Sequence, residues 1–589
     1  MPYDKKPKIT IKEFELALEG YEEIVNEITD RILSFHNKDQ IVLVVECYPG
    51  VRNSEIKTKL IEPLQANLVI CSDSFFIDTE SMNEKIKSTL TDDRVFGIMS
   101  HYVYEDFLVK EKRDRLKEEI EHTNGLVVIY GTGASAIYDK YDLLMYADLS
   151  RWEIQCRFRN GMSNWNANNP DEDAKRKFKR GYFFEWRIAD RKKQEVFEEI
   201  DYLLDTTIMG RPKMVSGNDY RRALEKVVHR PFRVVPYFDE SVWGGKWMME
   251  TFQLDSNKLN YGWGFDGVPE ENSLLLNFGE IEIEVPSINL VFVHPNELLG
   301  EKVKARFGKE FPIRFDILDT VGGGNLSLQV HPLVEYVQDK FGMHYTQDES
   351  YYILHAEENS SVYLGLKTGT DFKEFASDLK KAQEGNFKFP DEKYINHFPV
   401  KKHDHCSIPA GTIHCQGEDT VVLEISATPY IFTFKLWDWG RVDFDGLPRP
   451  IHLEHGLKNV VKERDTKWVN ENLINRFNGI PNLSEQDHII EKTGLHDLEF
   501  VETHRHWFKK ETVVENHESV NMLNLVEGEQ ITVESVDDSF EPFVVNYAET
   551  FIVPASIKQY RLVNKGDKET PVAIIQAFVK NPDSKFQKP

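Results

Sequence analysis

The chain has 589 residues, 40% of them hydrophobic, and a formal net charge of −26 from 72 Lys and Arg against 98 Asp and Glu. That length exceeds one hydrophobic core and predicts about two to four domains. The acidic balance argues against nucleic acid or an anionic membrane as a partner, and no run of about 18 apolar residues offers a membrane span.

The start, Met1-Pro-Tyr-Asp-Lys-Lys, lacks the apolar stretch of a secretory signal. Cys47, Cys71, Cys156, Cys406 and Cys415 are odd in number and scattered. Both features fit a reducing cytoplasm rather than a disulfide scaffold.

Residues 10–37 read as an amphipathic helix. Ile41-Val-Leu-Val-Val, Ala66-Asn-Leu-Val-Ile-Cys, Gly125-Leu-Val-Val-Ile-Tyr and Asp142-Leu-Leu-Met-Tyr-Ala-Asp are continuous apolar strands with helical patterns between them. Such alternation predicts a doubly wound α/β domain over 1–215. The first strand–turn–helix sits where a phosphate-binding loop would lie. Glu46-Cys-Tyr-Pro-Gly-Val-Arg-Asn-Ser lacks the glycine spacing and closing lysine of that loop. Together with the basic Lys175-Arg-Lys-Phe-Lys-Arg180, residues 38–210 resemble a degenerate nucleoside-kinase-like domain. Kinase catalysis is not expected. A phosphate or nucleotide ligand stays open, beside the blander reading of a solvated basic helix. Residues 211–232 read as a connection, with a short helix at Asp219–His229.

In Leu326-Ser-Leu-Gln-Val-His, apolar and polar residues alternate, so Gln329 and His331 share one face of a strand. Glu349 opens a second alternating run, and His414 follows the turn signal Pro409-Ala-Gly. Two imidazoles, a carboxylate and an amide oxygen suit a borderline divalent ion: zinc by default, with iron, cobalt, manganese or nickel open. So few ligands leave open positions, as catalytic sites do. Each motif alone is more often a half-exposed strand or a turn; their order is what persuades.

The segments Val242-Trp-Gly-Gly, Phe311-Pro-Ile-Arg-Phe, Leu326-Ser-Leu-Gln-Val-His-Pro, Glu349-Ser-Tyr-Tyr-Ile-Leu, Ile408-Pro-Ala-Gly-Thr-Ile-His and Leu436-Trp-Asp-Trp-Gly-Arg carry a resemblance. In that order they resemble type I mannose-6-phosphate isomerases, which are cupin metalloenzymes. The resemblance implies Gln329, His331, Glu349 and His414 as zinc ligands and a phosphorylated hexose as substrate. It also implies two mainly-β cupin (jelly-roll) domains. The first, over 230–470, binds the metal and carries a helical insertion near 371–386. The second, over 485–589, lacks metal ligands. Val553-Pro-Ala-Ser-Ile-Lys-Gln looks like a second copy of the His414 motif, with Gln559 in the place of His414.

Two departures touch the chemistry. Gln347 stands where the family has a lysine, and Lys435 where it has an arginine. An amide cannot exchange protons near neutral pH, and lysine lacks the bidentate fork. His344, Asp348, Lys435 or a water on the metal then remain as bases. Glu424 takes the place of a family carboxylate near the site, Arg441 is a substrate-facing or structural cation, and Ser327 and Gln347 are substrate contacts. His403 and His405 read as surface histidines, and Cys406 and Cys415 as buried thiols.

The reading is therefore a multidomain, metal-dependent isomerase of mannose 6-phosphate and fructose 6-phosphate. The alternatives are an isomerase or epimerase of another sugar, or a sugar-phosphate-binding regulatory protein without turnover.

Overall fold

The apolar run at Ile41 forms strand β1 (Gln40–Cys47), buried from Ile41 onward, as a central strand of a parallel sheet must be. The computed structural model describes residues 3–385, 387–427, 430–480, 488–494 and 499–580. β1 lies between β3 (Gly125–Gly131) and β4 (Leu143–Asp148). β2 (Leu68–Cys71) pairs outside β3, and β5 (Tyr202–Asp205) outside β4. All four pairings are parallel. β6 (Lys213–Ser216) then adds antiparallel to β5, and the short strand Ala17–Glu19 to β6.

This unit spans 8–226 and also takes in 273–293, a stretch inside the segment 230–470. The hairpin Ser273–Phe278/Ile281–Pro286 explains the intrusion, because its first strand pairs in parallel with Lys8–Ile11. The single helix read over 10–37 is instead strand Lys8–Ile11, strand Ala17–Glu19 and helix Tyr21–Leu33. Gly20, at φ 95°, divides strand from helix. The connection helix runs Gly217–Val227.

The second unit holds residues 1–7, 227–272 and 294–589. It contains two antiparallel two-sheet bodies. In the first, β7 (Tyr237–Asp239), β8 (Trp263–Gly267), β9 (Arg314–Asp319), β10 (Leu328–Val330), β11 (Glu349–Ala356) and β12 (Ser361–Leu366) are followed by β13 (Ile395–Pro399), β14 (His405–Ile408), β15 (His414–Gln416), β16 (Thr420–Ser426) and β17 (Phe434–Trp437). The sheets run β14-β11-β16-β9-β8-β7 and β13-β12-β15-β10-β17. The expected insertion is helix Phe372–Gln383, whose N-cap Asp371 accepts from the Lys373 and Glu374 amides.

The second body repeats this order strand for strand. β18 (His488–Thr493), β19 (Val501–Phe508), β20 (Glu511–Glu515), β21 (Asn521–Glu527), β22 (Gln530–Ser535), β23 (Phe543–Asn546), β24 (Thr550–Val553), β25 (Gln559–Asn564) and β26 (Val572–Val579) form sheets β24-β21-β26-β19-β18 and β23-β22-β25-β20. Each of these nine strands occupies the place of the strand ten labels earlier. Its interior is apolar, with Phe508, Leu523, Leu525, Ile531, Val533, Phe551, Leu562 and Ile574 at 0–1% exposure. At such depth a Leu→Ala change costs about 2–5 kcal/mol.

Candidate metal centre

Gln329 on β10 pairs directly with His414 on β15, His331 directly follows β10, and Glu349 opens β11, so three strands from both sheets position the four polar side chains. His331, Glu349 and His414 are wholly buried and Gln329 is 6% exposed. Among the described residues, His331, Glu349 and His414 form the one group of three or more His, Cys, Asp or Glu whose ligand atoms converge, all within 4.8 Å.

Two backbone carbonyls orient the imidazoles. His331 Nδ1 lies 2.9 Å from Phe432 O, and His414 Nδ1 lies 2.9 Å from Thr412 O. A carbonyl only accepts, so each Nδ1 carries the proton and each Nε2 presents its lone pair inward. There His331 Nε2 stands 3.0 Å from one Glu349 oxygen and His414 Nε2 2.9 Å from the other. His331 Nε2 and Glu349 Oε1 have no well-aligned hydrogen bond although both are buried. Lone pairs facing carboxylate oxygens at that range require positive charge between them, either protons or a bound cation. The donor set fits a divalent transition metal.

Protonation in the metal-free protein follows the same logic. Burial opposes charge on His331, but the Glu349 carboxylate and the Phe432 carbonyl outweigh it and raise its pKa. Burial likewise opposes the Glu349 carboxylate, yet His331 and His414 hold it well below the ordinary range.

The other predicted residues divide. Ser327 Oγ donates to Gln329 Oε1 at 3.0 Å, and Gln329 Nε2 lies 3.1 Å from His414 Nε2. Turning that amide over would offer its oxygen to a cation. Gln347, 2% exposed, donates to Glu349 Oε2 at 2.9 Å and to Glu424 Oε1 at 3.4 Å. Burial first, then the neighbouring Glu349 and Asp316 carboxylates, push Glu424 well above the usual carboxyl range. Asp316, opposite Glu424 on β9, is raised by burial to about 6 despite its 2.7 Å bond from Arg314 Nε. Lys435 lies across from Gln329 on β17. Arg441 is bound to Asp438, which Arg449 also reaches at 2.9 Å. His344 is exposed in the turn before β11.

Two expectations change. His405 is no surface histidine: it is fully buried between Thr493 Oγ1 (3.0 Å) and Ser350 Oγ (2.9 Å), and burial depresses its pKa to about 3. Gln559 does not take the inward place of His414. Its strand pairs Glu515 with Gln559 as Gln329 pairs with His414, yet Gln559 is exposed and bonded to Glu515. The next residue, Tyr560, is the inward one, buried and paired with Val514, so the inward position lies one residue further from Pro554 than His414 lies from Pro409. Cys406 and Cys415 are buried thiols.

In the α/β unit, three of the Lys175–Arg180 cations are spent internally, while Arg176 is exposed. Lys177 and Lys179 donate to backbone carbonyls of Phe158, Pro170, Thr91 and Asp93, and Arg180 pairs with Glu185 at 2.9 Å. Lys177, Lys179 and Arg180 are buried, which corrects the picture of a solvated basic helix. The amides of Gly133 and Ser135 after β3 are taken by Glu46, each at 2.7 Å.

Residues 20–229 match a family described as a domain of unknown function, DUF8485. Mannose-6-phosphate isomerase ManA of Bacillus subtilis is 24% identical over 241 residues, 40% of this chain and 71% of that protein. Mannose-6-phosphate isomerase of Streptococcus mutans is 26% identical over 220 residues, 37% of this chain and 64% of that one. The chain is thus related to these isomerases at low identity over about 40% of its length. Among solved structures, the B. subtilis mannose 6-phosphate isomerase aligns over 59% of this chain and 99% of its own, with TM-score 0.48 and 18% identity. A phosphomannose isomerase variant from Salmonella typhimurium aligns over the same shares with TM-score 0.46 and 15% identity.

Proposed function

We propose that the chain is a divalent-metal-dependent aldose–ketose isomerase that interconverts mannose 6-phosphate and fructose 6-phosphate. One observation carries this reading: two imidazoles, each with its Nδ1 proton fixed by a carbonyl, converge on both oxygens of Glu349. The relatives named as mannose-6-phosphate isomerases supply the reaction class.

Gln329, His331, Glu349 and His414 would hold the ion, with zinc the first choice. When bound, the metal supplies an electrophile for the sugar carbonyl and the enediolate that develops from it. Moving a proton between C1 and C2 also requires an acid and a base. Glu424, whose carboxyl is raised in the metal-free site by burial and by the Glu349 and Asp316 charges, is the acid these residues offer. Lys435, opposite Gln329, and Arg441 are the cations assigned to the substrate side, and Ser327 orients the Gln329 amide. His344 is exposed, and its assignment as base rests on its intrinsic pKa range alone.

A second reading, an isomerase or epimerase of another sugar, draws on Gln347. Its amide is committed to Glu349 and Glu424, where the resemblance expects a lysine able to move protons. A zinc-loaded preparation assayed in both directions against a panel of phosphorylated and free sugars decides between them. Turnover of mannose 6-phosphate, lost with His331→Ala, supports the first reading. Turnover of a different sugar supports the second. Binding without product on any of them rejects both in favour of a regulatory role.

A further inference from the structure

The turn at 409–413, between β14 and β15, ties the two imidazoles to one structure. Its Thr412 carbonyl accepts the His414 Nδ1 proton at 2.9 Å, and its Gly411 amide donates to the His331 carbonyl at 2.9 Å. The third acid–base ligand is tied in as well, because Asp348, next to Glu349, accepts from the Ala410 amide at 2.8 Å.

What fixes the turn lies outside the sheets. Arg464, in the segment after helix Leu453–Asn459, points one guanidinium nitrogen at three acceptors. Its Nη1 lies 2.8 Å from Pro409 O, 2.6 Å from Ala410 O and 2.6 Å from Thr412 Oγ1. Two hydrogens on that nitrogen serve three acceptors, so the turn is gripped along its length. The arginine is itself held: its carbonyl accepts from the Leu366 amide, and its guanidinium lies over Trp468, 5.3 Å from the ring centre. The Val461 amide bonds Gly411 O at 2.9 Å. The fit leaves no slack, since a Cβ at Gly411 would come within 2.7 Å of Val461 and 2.9 Å of Leu333.

We propose that Arg464 is a positioning residue of the metal centre: by holding the Pro409–Thr412 turn it keeps the Thr412 carbonyl on His414 Nδ1 and so presents Nε2 to the ion. The inference rests on the reading of Gln329, His331, Glu349 and His414 as metal ligands. Without the guanidinium the carbonyls of Pro409 and Ala410 turn to water, the turn relaxes, and His414 loses the acceptor that selects its tautomer. Groups that orient a ligand in this way change metal affinity by about 10–100-fold.

The test measures Zn2+ affinity by chelator competition on the full chain, for wild type, Arg464→Lys and Arg464→Met. The expected order is wild type tightest, lysine intermediate and methionine weakest, with the methionine variant down by about 10–100-fold. Its Co2+-loaded form should also show a changed visible absorption spectrum. Asp371→Ala serves as control. It removes the N-cap of helix Phe372–Gln383, a change of structure that touches neither the turn nor Arg464 and Trp468, and should leave affinity and spectrum at wild-type values.

Wild-type Zn2+ affinity in Arg464→Met overturns the proposal. So does an equal loss in Asp371→Ala, which would mark a general effect of destabilisation. If Arg464→Met does not fold, Arg464→Lys carries the test, and wild-type affinity there overturns it. A wild-type chain that binds no Zn2+ overturns the metal centre and this inference together. One that binds Zn2+ but isomerises no sugar phosphate rejects the proposed reaction and leaves the affinity comparison to decide the role of Arg464.

Discussion

Asn521 stands where Glu349 stands. Each opens its strand, and each pairs with the residue before a Pro-Ala turn, Glu349 with Ile408 and Asn521 with Val553. Two residues further on, Tyr351 pairs with Glu424 and Leu523 with Gln576. The two central carboxyls of the first body are therefore amides in the second. Tyr560 turns inward there and donates to Asn521 Oδ1 at 3.1 Å, and Gln576 Nε2 donates to the same oxygen at 2.7 Å. These neutral groups satisfy one another, so the second body keeps the framework without needing a cation. Metal analysis of the purified chain should return one equivalent of transition metal, and Asn521→Glu alone should not add a second. Two tightly held equivalents would contradict this account.

Removing an imidazole should empty the centre. His331→Ala or His414→Ala takes away one of three convergent ligands and leaves Glu349 facing a single histidine. Zinc affinity should fall by more than the ~100-fold that loss of an orienting group costs, and isomerase turnover should fall with it. Equilibrium dialysis and a coupled assay on the same preparation check both, and a variant that retains full metal would rule out that histidine as a ligand.

How much of this was legible beforehand depends on the range of the cause. Alternation in Leu326–His331 placed Gln329 and His331 on one face, because a strand's side-chain period of two is a local property. The Gln559 assignment failed for the same reason turned around: one residue's difference in turn path reverses a strand's faces, and spacing from a proline cannot register it. The helix over 10–37 failed at Gly20, whose positive φ splits an otherwise helical pattern. The fates of Lys177 and Lys179 depend on carbonyls from distant segments. So do the tautomers of His331 and His414, and a backbone carbonyl leaves no mark in composition or spacing.

Acid should act on the fold through His405, His488 and His517, each of which opposes folding as pH falls. Burial holds His405 at about 3, His488 at about 4 and His517 at about 3 in the folded chain, against about 6.5 when unfolded. At these three sites the unfolded chain therefore binds more protons below pH ~6.5, and their contribution to stability falls as pH drops from there toward the folded values. His405 alone, wholly buried, should cost about 1.4 kcal/mol per pH unit. Glu502, held near 2, adds its loss only below the ordinary carboxyl range. Buried carboxyls act in the opposite sense across the window from about pH 6.5 to 4.5: Asp316, raised to about 6, and Glu46, Glu284 and Asp319, each raised to about 7, take up protons in the folded chain there. Across that window the melting temperature of the wild type should fall relative to that of His405→Gln, because only the variant lacks the His405 term. An unchanged slope in that variant would assign the effect elsewhere.

Gln347 should matter structurally whatever the sugar. Its amide is the donor between the Glu349 carboxylate and Glu424. Gln347→Leu keeps the volume and removes the donor, leaving buried oxygens short of a partner at a cost of about 1–3 kcal/mol. A lowered urea midpoint with the fold intact is the expected result, and a midpoint at the wild-type value would mean the amide contributes nothing to the buried carboxyl pair.

In the α/β unit the most sensitive position should be Asp148, at the carboxyl end of β4. Its Oδ2 accepts from Lys193 Nζ at 2.7 Å, with side-chain exposures of 1% and 3%. Lys193 also sits 4.3 Å from the Tyr48 ring centre and 3.2 Å from Asn289 Oδ1. The Asp190 carboxylate also senses Lys193 but is paired with Arg151 at 2.6 Å, so Asp148→Ala leaves the buried ammonium without its direct counter-ion, which costs about 3–5 kcal/mol. Replacing both partners removes the charges together and is far cheaper, because no ion then remains out of water. Asp148→Ala with Lys193→Met should therefore recover most of what Asp148→Ala loses. Urea unfolding followed by circular dichroism measures both. A double variant as unstable as the single one would mean that packing at Asp148, rather than the uncompensated charge of Lys193, sets the loss.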